Sequence, residues 1–258
     1  MPKERPILFN AAMVRAILNG HKTQTRRAMK PQPAVHVDHF RHVTTCARTG
    51  RMDWQACNKA KKPVYAFKKK PCFVTEIAQC PYGQPGDRLW VRETWGVVSH
   101  SFDANGERSQ YQPDRPATPI QEMPFGQGYY HGHVIYAADG AFEWAGDDDG
   151  GGNTRSAWKP SIHMPRIASR ITLEIVRVRV ERLQDISKED ATAEGIEPPE
   201  GETYRDYAVK PEDNEGHDYY LCPQDSFISL WEKINGLDSC KANPWVWVIE
   251  FKRVEASQ

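Results

Sequence analysis

The densest run of side chains able to do chemistry is Gly20-His21-Lys22-Thr23-Gln24-Thr25-Arg26-Arg27. A lysine whose ammonium form is destabilised can take the proton of a threonine hydroxyl and turn that hydroxyl into a nucleophile. Burial or neighbouring arginines would lower the lysine pKa in the required direction. Lys22 stands three residues from Thr25, a spacing that brings the two together across one turn. The same run also reads as a solvated basic turn with no chemistry. Glu194 is the second candidate. It closes a short helix just before Gly195, where the helix macrodipole disfavours a carboxylate; its plain reading is an exposed glutamate. A third group is Arg88, Trp90, Arg92 and Trp95. An ideal strand puts Arg88, Trp90 and Arg92 on one face, which could stack a base and contact a polar ring edge. A core tryptophan flanked by surface arginines is the alternative.

Metal chemistry finds less support. His131 and His133, and His36, His39 and His42, have no partner at a recognised ligand spacing. Cys46, Cys57, Cys72 and Cys80 share one segment and could in principle hold zinc, but their spacings match no standard zinc pattern. Free, reduced cysteines are the default expectation for all six. No phosphate loop, nucleophile elbow or catalytic-cysteine signature occurs. Neither a metal nor a cofactor is expected.

These residues must be positioned by a chain rich in short strands. Asn10 is a plausible N-cap for a helix over 11–19, with Met13, Ile17 and Leu18 on one face and Gly20 as its stop. Residues 21–27 read as an irregular turn entering a strand. Residues 31–80 look like an insertion with a basic run (Lys59, Lys61, Lys62, Lys68, Lys69, Lys70). Pro85-Gly86-Asp87 is a turn, and 88–98 reads as one strand. Residues 99–130 are loop-like, 133–137 a short strand, and 147–152 (DDDGGG) a solvated turn. The clearest strand is 171–180, whose alternation slips phase at Ile175-Val176, as at a bulge. Ser187 caps a helix, with Asp190 three residues on as in a capping box, running to about Glu194. Residues 197–224 form an acidic, proline-bearing insertion. Asp225 caps a helix over 226–234, and 245–254 is the terminal strand. Few helices connect many strands without regular alternation, which favours a small closed β-barrel with two or three packed helices over a doubly wound sheet.

Length and charge set the outer limits. The chain has 258 residues, with 34 Lys plus Arg against 34 Asp plus Glu. It suits one large domain or two small ones. Zero net charge argues against a protein that coats nucleic acid non-specifically, since phosphate neutralisation supplies most of that affinity. The absence of an ~18-residue apolar run predicts no membrane span, and the start of the chain does not read as a secretory signal, so a cytoplasmic location is expected.

The chain resembles the ASCH family of the PUA-like β-barrel superfamily. The resemblance rests on Ala16–Arg27, Gly86-Asp87-Arg88-Leu89-Trp90-Val91-Arg92-Glu93, the strand at 171–180, Ala193-Glu194-Gly195-Ile196 and the closing strand at 246–251. Blocks at Cys80–Gly83 and Trp158–Pro165 make it most similar to longer bacterial and prophage-encoded members. Some small members remove the acetyl group from N4-acetylcytidine, with a motif similar to G-x-K-T-x-T-x-R and a later helix-end glutamate. That resemblance implies Lys22 as the base, Thr25 as the nucleophile and Glu194 as the residue that assists proton transfer or holds the cytosine amine. Arg27 matches the motif arginine, and Arg26 stands where those enzymes have an apolar residue. Arg26, Arg27, Trp90, Arg92 and Glu93 are expected around the substrate.

The expectation is therefore a mainly β chain with some α (α+β): a PUA-like/ASCH barrel of about six strands with flanking helices, forming a single domain over 1–258 with insertions near 31–80, 99–130 and 197–224. The expected function is hydrolysis of an acyl group from a modified nucleoside such as N4-acetylcytidine by a Lys-activated Thr. The alternative is a non-catalytic reader of RNA, DNA or a modified base, or a prophage accessory protein. The expected partner is a modified nucleoside or nucleic-acid base, with no membrane. Sequence leaves the oligomeric state open.

Overall fold

The computed structural model describes residues 2–34, 37–46, 51–60, 77–102, 105–142, 157–197, 203–207 and 220–254. Among them the architecture is mainly β with few helices: thirteen strands, three α-helices and four short 3-10 helices. No strand order among the described residues closes on itself. The closed barrel of about six strands is thus not seen, and the strands are more numerous than expected. The chain divides into two compact units, each built from segments distant in sequence. Unit 1 takes Met1–Lys3, Asn19–Arg88 and Glu174–Lys252; unit 2 takes Glu4–Leu18, Leu89–Leu173 and Arg253–Gln258.

Unit 2 begins with β1 (Glu4–Leu8) and α1 (Ala11–Leu18). The Asn10 carboxamide accepts the Met13 N–H at 2.9 Å, as an N-cap should. Val14 and Ile17 are the residues α1 buries. The expected single strand over 88–98 is in fact two, β6 (Arg88–Arg92) and β7 (Trp95–Val98). β6 neighbours β1, whereas β7 neighbours β11 in a different sheet. The break falls at Glu93-Thr94. Both residues are engaged there: Glu93 in a buried ion pair with Arg170, and the Thr94 carbonyl with the Ala137 N–H. The aromatic and branched residues on both sides of the break read as one strand and conceal it.

Residues 99–130 are not a loop. They form β8 (His100–Phe102), β9 (Arg108–Gln110), β10 (Thr118–Phe125) and the start of β11 (Gly128–Tyr136). Pro119 and Pro124 suggest a loop, but β10 is the edge of the β10-β11-β7 sheet, where a missing N–H costs no ladder bond. Its register shifts between Ile120 and Met123, and both are buried. Such an irregularity lets two residues three apart face the same way. They join Trp95, Val134, Tyr136 and Met164 in one core cluster.

Gly132 in β11 has φ +107°, and a Cβ there would lie 2.3 Å from the Val98 carbonyl oxygen. Gly132→Ala is expected to cost about 1–3 kcal/mol, from the disfavoured backbone and the backbone clash together. A lowered urea midpoint with unchanged slope is the corresponding measurement.

Unit 1 holds β2 (Gln24–Ala28), the hairpin β3 (His39–Cys46) and β4 (Arg51–Cys57), β5 (Ile77–Ala78), β12 (Thr172–Arg182), α2 (Lys188–Ala193), α3 (Pro223–Asn235) and β13 (Trp245–Val254). A few end residues of β12 and β13 belong to unit 2. β13 lies between β12 and β2. It pairs antiparallel with β2, Val248 opposite Arg26 and Ile249 opposite Thr25. The 31–80 stretch, expected to be irregular, thus supplies three strands. Its hairpin packs through aromatic edges: Phe40 meets Trp245 at 5.1 Å and Trp54 meets Trp247 at 6.5 Å.

β12 shows the expected phase slip. Leu173 and Ile175 are buried, Val176 and Arg177 are both exposed, and Val178 is buried again. Asp87 closes its turn as expected, its carboxylate accepting the Lys3 and Gln84 N–H groups. α3 starts earlier than expected, with Cys222 at the N-cap and Pro223 in the first turn; Asp225 lies inside that turn rather than capping it. The 147–152 run, Cys72, His36 and Lys61 to Lys70 lie outside the described residues. No helix among the described residues is long and apolar enough to cross a membrane.

Candidate active site

β2 and the end of α2 position the candidate site in unit 1. The 21–27 segment is extended rather than a turn. Lys22 forms an isolated antiparallel bridge with Glu194, and Thr23 is hydrogen-bonded to Ala193 on one side and Phe251 on the other. Strand alternation then sorts the side chains. Lys22, Gln24 and Arg26, at every second position, all reach the segment 190–194. Alternation directs Thr25 and Arg27 to the other face of β2. Thr25 is buried within the strand.

Lys22 and Glu194 come together although 172 residues separate them. Lys22 is only 2 % exposed and Glu194 only 4 %. Lys22 Nζ donates to the Glu194 main-chain carbonyl at 2.6 Å and to its Oε2 at 3.0 Å. Glu194 is the C-cap of α2, followed by Gly195 at φ +86°. The disfavoured carboxylate at a helix end is therefore answered by a cation that also satisfies an orphan helix carbonyl. Arg26 Nη1 lies 3.3 Å from the other oxygen, Oε1.

The polar face extends past what the sequence suggests. Arg26 Nη2 reaches Asp190 Oδ2 at 2.7 Å and Glu181 Oε2 at 3.1 Å. Arg179 on β12 meets the same Asp190 oxygen at 2.6 Å and pairs with Glu181 and Glu250. Gln24 donates to the Asp190 carbonyl at 2.9 Å. Ser187 does cap α2, accepting the Asp190 N–H at 3.1 Å, but the Asp190 carboxylate serves the two arginines. Asp190, Arg179, Glu181 and Glu250 are thus site residues that the sequence reading missed. For Arg179, Glu181 and Glu250 the sequence signal is the charged phase of β12 and β13, and Asp190 shows only as the capping-box partner of Ser187.

Burial sets the electrostatics. It pushes the Lys22 ammonium below its ordinary value of 10.5; Glu194 opposes this, and Arg27 and Arg26 add to it. Arg27 is itself lowered by burial, against the raising influence of Tyr82 and Glu194. The Arg27 charge is therefore felt by both Lys22 and Glu194, although alternation puts it out of phase with them. For Asp190, burial works to raise the carboxyl, but hydrogen bonds from Arg26 and Arg179 overcome it and hold it below its ordinary value.

No protein-family model matches the chain, and no curated protein or solved structure matches it.

The remaining predicted substrate residues, Trp90, Arg92 and Glu93, belong to unit 2. Trp90 is buried, with the Arg92 guanidinium over its ring at 4.7 Å. Glu93 is 1 % exposed. Arg170 grips it with two parallel bonds of 3.0 Å and reaches Asp139 Oδ2 at 2.6 Å. The same guanidinium lies 3.9 Å from the Tyr136 ring. Burial raises the Glu93 carboxyl despite Arg170, and pushes the Tyr136 hydroxyl up to about 12. Of the cysteines considered for zinc, Cys57 and Cys80 are free thiols.

Proposed function

We propose that the chain is a hydrolase of the ASCH type, of PUA-like kinship, that removes an acetyl group from a modified nucleoside such as N4-acetylcytidine. The observation that carries this reading is the buried Lys22–Glu194 pair, with a lysine whose proton is held less tightly than usual. Two Lys22 N–H groups are directed at Glu194, which fixes the amine in one orientation. Such an amine, once neutral, keeps both donors and gains a lone pair for proton transfer. The proposed reaction runs through a relay, because alternation sets Thr25 on the face of β2 opposite Lys22: a water passes the Thr25 hydroxyl proton to neutral Lys22 as Oγ1 bonds to the acetyl carbonyl carbon. The carbon–N4 bond then breaks, and the proton passes to the departing amine. Water hydrolyses the threonyl ester to acetate and restores Thr25. Arg27, on the Thr25 face of β2, is the substrate-side cation in this reading, while Arg26 is engaged by Glu194, Asp190 and Glu181.

Purified protein incubated with N4-acetylcytidine is expected to yield cytidine and acetate. Thr25→Val and Lys22→Met are each expected to lower turnover by about 10²–10⁴-fold, the usual share of a positioned nucleophile or base. Saturable binding of the nucleoside without acetate release would replace hydrolysis by base recognition. Full turnover in either variant would end the assigned roles.

A further inference from the structure

Among the described residues Glu194 is held by two cations of different kinds. Lys22 takes Oε2, and Arg26 takes Oε1. Arg26 is in turn fixed by Asp190 and Glu181, and those two by Arg179, which also binds Glu250. The Arg26 side chain is wholly buried. A guanidinium keeps its charge across the whole range in which a lysine titrates.

This arrangement solves a specific difficulty. Lys22 can act as a base only after losing its own proton. If Lys22 were the single partner of Glu194, that loss would strand a buried carboxylate, and the pair would stay locked as an ion pair. A second cation on the far oxygen removes the obstacle.

We propose that Arg26 is a positioning residue for proton transfer: it compensates the Glu194 charge permanently, so that Lys22 is free to discharge. This inference rests on the reading of Lys22 as a base. The charged and titratable groups around Lys22 are Glu194 and Asp190 from α2 and its cap, Arg26 and Arg27 from β2, Arg179 and Glu181 from β12, Glu250 from β13, and Tyr82 beside Arg27. Of these, Arg26 is the cation that shares the Glu194 carboxylate with Lys22 through a direct contact.

The test reads Lys22 itself and needs no turnover. Full-length protein labelled at lysine Cε is titrated by NMR, with Lys22→Arg assigning the Lys22 signal. Arg26→Met is expected to raise the Lys22 midpoint by about one unit, so that its neutral fraction at a given alkaline pH falls roughly tenfold. Arg26→Lys, which restores a charge, is expected to bring the midpoint back towards wild type. An unchanged or lowered Lys22 midpoint in Arg26→Met overturns the proposal. If Arg26→Met does not fold, Arg26→Gln keeps a donor towards Glu194 without the charge and reads the same shift. The two proposals fail separately. A shifted midpoint with no N4-acetylcytidine cleavage by wild type keeps the Arg26 assignment and removes the reaction. Cleavage with an unshifted midpoint does the reverse. Where cleavage occurs, Arg26→Met should move the acid limb of the rate profile upward by the same interval; a lower plateau with an unmoved limb would mark Arg26 as structural only.

Discussion

Arg170→Met is expected to destabilise the protein by about 3–5 kcal/mol, the usual consequence of removing one member of a buried ion pair. The reason lies in what is left behind. Arg170 supplies Nε and Nη2 to the two oxygens of Glu93 and Nη1 to Asp139. Glu93 is almost wholly buried, between β6 and β7. Without the guanidinium its carboxylate would have to be protonated or drag water inside. Loss of the Arg170–Tyr136 stacking contact adds to the effect.

The pH dependence follows from the sign of the Glu93 shift. Its folded pKa is raised above the ordinary 4.5, chiefly by burial, so the folded state binds the proton more tightly than the unfolded state. Stability from this group is full below 4.5 and is lost as pH rises through the folded value. Arg170 opposes that loss. The Arg170→Met penalty should therefore begin to grow only above the wild-type folded value of Glu93, itself above 4.5, and level off once Glu93 is fully titrated in the variant as well. Urea unfolding of wild type, Arg170→Met, Glu93→Leu and Arg170→Met/Glu93→Leu gives the cycle. The double variant should recover most of the stability, since an apolar pair of similar volume replaces buried charges at little cost. A single-variant loss below about 1 kcal/mol would mean that the pair is solvated in practice.

Where alternation and caps act locally, the fold was legible in the sequence. β13 has the expected bounds, β12 slips phase at the expected residues, and α2 starts at Ser187 and stops at Gly195. Where the deciding partner is remote, it was not. Nothing near Glu93 announces that the chain changes sheets there, because Arg170 lies 77 residues away. Pro119 and Pro124 hide β10 because its edge position is set by β11. The site shows the same division. Residue type and helix-end position single out Lys22 and Glu194 one by one, and only the family resemblance pairs them. The i,i+3 approach of Lys22 to Thr25 assumed a turn, whereas Thr23 is paired on both sides and the segment is extended. By its spacing from Ser187, Asp190 reads as half of a capping box. Its carboxylate turned out to be committed to Arg26 and Arg179, 164 and 11 residues away.

Glu194→Gln tests the energetics of that site apart from any reaction. The variant keeps the shape of the side chain but leaves Lys22 and Arg26 as buried cations sharing no carboxylate. A loss of about 3–5 kcal/mol is expected at neutral pH. Here the pH trend runs opposite to that of Glu93. Burial already lowers Lys22 below 10.5, and Glu194 is the main influence raising it. Without Glu194 the folded pKa falls further, so the folded protein sheds this proton well before the unfolded chain does. Stability then rises with pH from the folded Lys22 value up to 10.5, where the unfolded lysine also discharges. That rise should be steeper in extent for Glu194→Gln than for wild type, and it should vanish when Lys22→Met is added. The double variant should also be more stable at neutral pH than Glu194→Gln alone, because the stranded Lys22 cation is gone while Arg26 keeps Asp190 and Glu181. If Glu194→Gln unfolds at the wild-type urea midpoint at every pH from neutral up to 10.5, the ordinary lysine value, then water is compensating Lys22. The buried pair would then be neither a structural clasp nor a tuned base.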